Sequence, residues 1–230
     1  MLTKPFISAF LFTLFLAVVA IGSLMIHDRI NASRAFNKDN SVVEVDVDAG
    51  HGSGFYIGNG QIITAAHVAK DANKDGKVMI KFHDQRVSGT VRWFDEVADV
   101  ALITLDNTLP GLQAANMACS EPDPAVGDGV EAIGFPLNLQ NVHTRGRVAA
   151  PVMTHEDKML AFLADLTIAP GNSGGPVFTA HGTIAGLADA VASTTLAMVH
   201  LVLFPIAYIV PKSVICKELL QKHDAPTFTN

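Results

Sequence analysis

Short segments in which apolar and polar residues alternate fill this sequence from residue 42 onward. From Val43 to Val47, for example, valine alternates with an acidic residue. A period of two is that of a β-strand with one buried face. Turn residues such as Gly58-Asn59-Gly60 separate the segments. Because a helical fold needs a period near 3.6 over longer stretches, the pattern predicts an all-β fold.

The pattern predicts about twelve strands, in two series that meet near Leu109-Pro110-Gly111. The first series comprises Val42–Val47, Phe55–Ile57, Gln61–Thr64, Val78–Phe82, Val87–Trp93 and Val100–Leu105. The second comprises Gly129–Ile133, Arg145–Ala149, Met159–Leu163, Gly174–Phe178, Thr183–Leu187 and Val199–Phe204. One short helix is predicted at Pro211–Lys222, where proline suits the first turn and the apolar residues have helical spacing. Such a series is typical of a two-barrel or sandwich fold.

The first 26 residues are predicted to form a membrane or signal helix. Pro5–Ile26 carries no charge over 22 positions. A membrane-spanning helix needs about 20 apolar residues, whereas the core of a signal peptide has about 7–15. The length favours an uncleaved anchor, but small-residue sites such as Val18-Val19-Ala20 leave cleavage open. We expect membrane attachment through residues 5–26, with the chain facing the periplasm or the extracellular side, or secretion after cleavage.

A second uncharged run covers Ala190–Val210. A second membrane helix is one interpretation of it. The run contains Pro205 and several Ser and Thr residues, and the segment Met198–Phe204 is rich in Val and Leu. These features favour two core strands joined by a turn.

Composition excludes several classes of protein. Hydrophobic residues make up 49% of the chain, charged residues 17%, and the net charge is −6. Disorder and a basic nucleic-acid groove are therefore excluded. Residues 27–41 are polar and are predicted to be a linker, followed by one domain over 42–223 and a tail over 224–230. The Cys and His residues do not have metal-ligand spacing, so no metal and no cofactor are expected.

Three segments carry residues suited to nucleophilic catalysis. A predicted strand ends in Thr64-Ala65-Ala66, small residues that let the following His67 approach another surface. Asp99 is a lone carboxylate at the start of an apolar strand, and burying it requires a donor such as a histidine N–H. In Gly171-Asn172-Ser173-Gly174-Gly175-Pro176, glycines flank a serine on a loop that can adopt unusual dihedral angles.

Together these segments supply a nucleophile, a base and an orienting carboxylate. A serine hydroxyl is a poor nucleophile unless an imidazole accepts its proton. We predict catalytic roles for His67, Asp99 and Ser173, with the backbone N–H groups of Gly171 and Ser173 as the oxyanion hole.

At these residues the sequence resembles the trypsin/chymotrypsin-fold serine proteases, in particular the HtrA (DegP-like) branch. The matching stretches are Gly52-Ser53-Gly54-Phe55, Ile63-Thr64-Ala65-Ala66-His67-Val68, Asp99-Val100-Ala101-Leu102, Val126-Gly127-Asp128, Ala132-Ile133-Gly134-Phe135-Pro136 and Gly171-Asn172-Ser173-Gly174-Gly175-Pro176. The intervals of 32 positions from His67 to Asp99 and 74 from Asp99 to Ser173 also resemble those of HtrA domains. The resemblance implies two perpendicular six-stranded barrels with a substrate cleft between them.

The resemblance also sets expectations for specificity and regulation. It implies that Thr167, Ile168 and Ala192 line the pocket for the substrate side chain, which predicts a small or aliphatic preference. Asp189 complicates this prediction, because a carboxylate turned into the pocket would favour basic residues. The chain has no Ile-Val-Gly-Gly start, and few residues follow His223, so we expect neither trypsin-style activation nor a PDZ domain. Oligomerisation stays open and is not indicated.

Two minor features have alternative interpretations. Asp71-Ala72-Asn73-Lys74-Asp75-Gly76 is similar to half of a calcium loop, but position twelve is Phe82, so an exposed hairpin turn is the favoured interpretation. The sequence leaves open whether Cys119 and Cys216 form a disulfide.

The predicted function is serine endopeptidase activity on unfolded or exported polypeptides, through a covalent acyl-enzyme. The main alternative is a catalytically silent binding module tethered to the membrane. An esterase with the same triad is less favoured. Ser173 does not lie in the strand–helix setting of the α/β-hydrolase elbow, and the order His, Asp, Ser is not that of the α/β-hydrolases.

Overall fold

Two closed β-barrels form most of the structure, which is a computed structural model. It describes residues 36–154, 159–191, 194–196, 199–201 and 206–222. The first barrel comprises β1 (Val42–Val47), β2 (Gly50–Gly58), β3 (Gln61–Thr64), β4 (Lys77–Phe82), β5 (Gln85–Asp95) and β6 (Val100–Leu105). The strands are arranged in the order β1-β2-β3-β6-β5-β4, and β4 pairs with β1 to close the barrel. A one-turn helix, α1 (Ala66–Ala69), follows β3.

The second barrel has the same number of strands. It comprises β7 (Gly129–Gly134), β8 (Val142–Thr154), β9 (Leu160–Ala164), β10 (Pro176–Thr179), β11 (Ile184–Val191) and β14 (Ala207–Pro211). Their order is β10-β11-β14-β9-β8-β7, and β7 pairs with β10. A separate two-stranded sheet contains β12 (Thr194–Leu196) and β13 (Val199–Leu201). The helix α2 (Lys212–Lys222) follows β14, and 3-10 turns occur at Lys38–Ser41 and Pro136–Asn138. The predicted all-β fold with two six-stranded barrels and a short terminal helix is confirmed.

Alternation along the strands explains why the barrels are filled with apolar side chains. In β4, for example, Val78, Ile80 and Phe82 are buried, whereas Met79 is exposed. Side chains of a strand point alternately to its two faces, so one face of the sheet builds the core. All adjacent strands of both barrels are antiparallel, which short turns permit.

The sixth strand of the second barrel differs from the prediction. Val199–Phe204 was expected to fill this place, but β14 at Ala207–Pro211 pairs with both β9 and β11. Val199–Leu201 instead pairs with β12 outside the barrel. The run is uncharged and mostly apolar, so alternation could not show which part of it joins the core. The predicted helix is confirmed from Lys212, and Pro211 is the last residue of β14.

The second uncharged run therefore contains strands. Among the residues that the structure describes, no helix is long and apolar enough to cross a membrane. The predicted N-terminal membrane or signal helix, residues 5–26, lies outside the described residues.

A disulfide joins Cys119, in the connection between the barrels, to Cys216 on α2. The Cα atoms are 5.9 Å apart, and 97 positions separate the two residues. The alternative that the sequence left open is thus decided in favour of a disulfide.

The calcium-like segment forms an exposed turn between α1 and β4. The Asn73 side-chain oxygen accepts hydrogen bonds from the backbone N–H groups of Asp75 and Lys77. The turn connects a helix to a strand, so the expected hairpin is wrong in this detail.

Candidate active site

His67 lies on α1, directly after β3. Ala65 and Ala66 are fully buried, so the start of the helix packs closely against the barrel. The His67 side chain is 39% exposed at the edge of the barrel. The sequence of small residues before the histidine thus places its imidazole at an accessible surface.

Asp99 faces this imidazole from the turn that precedes β6. Its backbone has φ +50°, a left-handed conformation that Asp tolerates better than most residues. The Oδ1 atom accepts the backbone N–H of His67 at 2.9 Å, and Oδ2 lies 3.0 Å from Nδ1. An Nδ1–H that donates to the carboxylate leaves Nε2 as the acceptor. The donor that a buried Asp99 requires is therefore His67.

Ser173 lies on the loop between β9 and β10, between two residues with positive φ. Gly171 has φ +100° and Gly174 has φ +82°. A Cβ on Gly174 would overlap Thr64 Oγ1 and the carbonyl oxygen of Ser53. Only glycine at position 174 therefore lets the loop pack directly against the first barrel.

The Ser173 hydroxyl donates to the backbone carbonyl of Asp189 at 3.0 Å. Within the described part of the chain, no hydrogen bond joins it to His67. The structure thus joins His67 to Asp99, whereas the hydroxyl of the predicted nucleophile, Ser173, is hydrogen-bonded to the backbone of β11. The predicted proton transfer to His67 therefore requires the hydroxyl to leave this carbonyl, and such looser geometry is common in unliganded sites.

Each of the two N–H groups predicted for the oxyanion hole belongs to a peptide whose carbonyl accepts a hydrogen bond on the opposite side. The Pro170 carbonyl accepts the N–H of Leu137 at 2.9 Å. Since C=O and N–H of a trans peptide point in opposite directions, the N–H of Gly171 points to the other side. The Asn172 carbonyl is engaged inside the loop in the same way, which turns the N–H of Ser173 outward. Among the described residues, neither N–H donates to a backbone carbonyl.

Ser53 connects this loop to both barrels, and the sequence analysis assigned it no role. Its side chain is fully buried on β2. Its Oγ donates to the carbonyl of Gly171 at 2.6 Å and accepts the N–H of Phe135 at 3.0 Å. Its backbone N–H donates to the carbonyl of Ser173 at 2.8 Å. A serine between two glycines in Gly52-Ser53-Gly54 was the only signal, and it is not specific enough to predict these contacts.

Asp189 completes the site from β11. Its carboxylate is 13% exposed, and Oδ1 lies 3.6 Å from His67 Nδ1. The carboxylate is therefore directed at His67 and Asp99. The alternative considered from the sequence, in which Asp189 turns into the pocket for the substrate side chain, does not describe this position. One imidazole nitrogen of His67 and one carboxylate oxygen each of Asp99 and Asp189 lie within 4.8 Å of one another, a spacing at which such atoms could bind a metal ion. In this arrangement the Nδ1 of His67 is already paired with Asp99.

The predicted pocket residues lie near the start of the same loop. Thr167 is exposed, and Ile168 is half-buried against the core of the second barrel. Ala192 lies outside the described residues.

Comparison with known proteins identifies the class to which this fold and site belong. The trypsin-like peptidase domain family matches residues 52–187, and the chain belongs to that family. This stretch includes His67, Asp99 and Ser173.

Individual relatives agree with the family. A Synechocystis protein named as serine protease HhoA is 37% identical over 151 residues, which cover 62% of this chain and 37% of the relative. A Chlamydia trachomatis protein named as a periplasmic serine endoprotease, DegP-like, is 32% identical over 155 residues, which cover 64% and 29% of the two chains. The chain thus spans about a third of the length of these relatives. A crystal structure of the inactive form of the Rv3671c protease matches with a TM-score of 0.66 at 20% identity, over 80% of this chain and 89% of that one, and supports the fold.

Proposed function

We propose that this chain is a serine endopeptidase in which Ser173 attacks the peptide carbonyl, His67 is the general base and Asp99 orients His67. The observation that carries this proposal is the bond of 3.0 Å between Asp99 and His67 Nδ1. It leaves Nε2 of an accessible imidazole as the acceptor. Both residues lie within the stretch that matches the trypsin-like peptidase domain family.

The proposed reaction proceeds in two steps. Ser173 Oγ leaves the carbonyl of Asp189, transfers its proton to His67 Nε2 and bonds to the carbonyl carbon of the substrate. The N–H groups of Gly171 and Ser173 stabilise the oxyanion, a contribution of about 10²–10³ in rate for one donor. His67 then gives the proton to the leaving amine as the C–N bond breaks. In the second step His67 accepts a proton from water, the water oxygen bonds to the acyl carbon, and the proton passes to Ser173 Oγ as the ester bond breaks.

Two features support a preference for small or aliphatic side chains at the cleavage site. Asp189 is occupied with His67 and Asp99, so it provides no anion for a basic side chain. Ile168 provides an apolar surface beside the loop, with Thr167 next to it and Ala192 as a proposed third member.

We further propose that the enzyme acts outside the cytoplasm on unfolded or exported proteins. The Cys119–Cys216 disulfide is typical of an oxidising compartment. The DegP-like relatives are named as periplasmic proteins. Residues 5–26 form the proposed anchor or signal, and 42–223 form the proposed protease domain.

Hydrolysis of unfolded casein by the full chain in detergent micelles tests the proposal. We expect activity in the wild type and a loss of at least about 10³-fold in Ser173→Ala. Thr108→Ala, at an exposed position after β6 with no proposed role, is the control for handling and should stay active. A wild type as inactive as Ser173→Ala would favour the binding-module alternative, and cleavage of esters without casein would favour an esterase.

A further inference from the structure

Asp189 is a second buried carboxylate at the imidazole, which the proposed reaction does not require. Its Oδ1 lies 3.6 Å from His67 Nδ1, and a carboxylate oxygen of Asp189 lies within 4.8 Å of one of Asp99. The carboxylate of Asp99 is 10% exposed and that of Asp189 is 13% exposed. Two carboxyl groups in such contact share a proton, because the ionised pair would place two negative charges together away from water.

The electrostatics of the site agree with a shared proton. Burial raises the pKa of Asp189, the hydrogen bond and charge of Asp99 raise it further, and His67 opposes them, so that the pKa is about 7. Burial by itself lowers the pKa of His67, but the hydrogen bond and charge of Asp99 and the charge of Asp189 outweigh it. The pKa of His67 therefore lies above its ordinary value.

The backbone of the same residue contacts the third member of the proposed triad. The carbonyl of Asp189 accepts the Ser173 hydroxyl at 3.0 Å. One residue of β11 thus contacts the nucleophile through its main chain and the base and carboxylate through its side chain.

We propose that Asp189 is a positioning residue that shares one proton with Asp99 and thereby sets the pH at which His67 becomes a neutral base. This inference rests on the proposed function. In the protonated state the O–H of Asp189 donates to Asp99, and the pair carries one negative charge. When the proton passes to solvent, a second negative charge appears 3.6 Å from Nδ1 and stabilises the imidazolium. An imidazolium cannot accept the proton of Ser173, so Asp189 shifts the acidic limb of the pH profile to higher pH.

Few other charges act on this group. Among the described residues, the ionisable groups that affect Asp189 are Asp99, before β6, and His67, on α1. Lys70, after α1, acts on His67 and favours its neutral form. The remaining contact with the nucleophile loop is the neutral Ser173 hydroxyl.

The pH profile of kcat/KM for the full chain in micelles tests the inference with Asp189→Asn. The amide can still donate to Asp99 but carries no charge, so we expect the midpoint of the acidic limb to fall by about one unit. One unit below the wild-type midpoint, activity relative to each protein's own plateau should rise about fivefold. Asp106→Asn, which removes an equal charge on the surface of the first barrel, should leave the midpoint unchanged.

A lower plateau in Asp189→Asn with an unchanged midpoint would overturn the inference, because a purely structural role predicts that result. If Asp189→Asn does not fold, Asp189→Ser supplies a neutral donor at the same position. NMR titration of the His67 imidazole in the wild type and in Asp189→Asn separates this inference from the proposed function. A lower His67 midpoint in the variant supports the coupling even in a protein without peptidase activity, and equal midpoints refute it.

Discussion

Replacing Ser53 by alanine tests how the first barrel positions the nucleophile loop. The change removes one oxygen that accepts the Phe135 N–H at 3.0 Å and donates to the Gly171 carbonyl at 2.6 Å. The site is fully buried, so both groups lose their partner without gaining water. Each of the two unsatisfied buried groups costs about 1–3 kcal/mol, so we expect the free energy of unfolding to fall by about 2–6 kcal/mol.

The same change should reduce catalysis in a specific way. With its carbonyl released, the peptide that joins Gly171 to Asn172 is no longer held in place. This peptide lies between the two peptides whose N–H groups, those of Gly171 and Ser173, form the proposed oxyanion hole. Complete loss of one donor costs about 10²–10³ in kcat, so misplacement should lower kcat by about 10–100-fold. The KM should change little, because the oxyanion forms only in the transition state.

Ser41→Ala is the matched control for Ser53→Ala. Ser41 is also fully buried, but its Oγ makes one local hydrogen bond, to the carbonyl of Lys38 at 2.7 Å. Urea unfolding and casein kinetics are measured for both variants. The control should lose about 1 kcal/mol of stability and no kcat. Equal kcat values for wild type and Ser53→Ala would refute the positioning role of Ser53.

Two further changes affect stability through single contacts. Replacing Cys119 and Cys216 together by alanine opens a cross-link over 97 positions, which the chain-entropy relation values at about 4–5 kcal/mol; we expect a loss of about 2–5 kcal/mol in urea unfolding, and a difference below 1 kcal/mol would contradict it. The pKa of Glu131 is lowered to about 2, since Lys38, His143 and Arg145 outweigh the effect of burial. Glu131→Gln should therefore lose up to about 3 kcal/mol at neutral pH, and the difference from wild type should shrink as pH falls from about 4.5 to 2; a difference independent of pH would contradict the ion-pair explanation.

Strand prediction from the sequence succeeded where one face of a strand meets the core. β1, β3 and β6 occur at the predicted residues because their apolar positions alternate or follow turn signals. The prediction failed between Ala190 and Val210, where the run is uncharged, apolar residues do not alternate regularly with polar ones, and pairing decides the strands. β14 joins the barrel through its register with β9 and β11, a long-range contact without a local signal.

The same distinction applies to the site. His67, Asp99 and Ser173 are carried by local patterns of small residues and glycines, which the sequence displays. The contacts of Asp189 and Ser53 depend on how β11 and β2 pack beside the nucleophile loop. The disulfide likewise depends on the position of α2 relative to the connection between the barrels, so spacing alone left it undecided.

Covalent labelling of the full chain by a fluorophosphonate tests most directly whether Ser173 is made nucleophilic by His67 and Asp99. The account predicts one adduct, mapped to Ser173 by mass spectrometry, and a labelling rate lower by at least about 10³-fold in His67→Ala. A folded wild type that does not react, or a His67→Ala protein that reacts at the wild-type rate, would contradict the account.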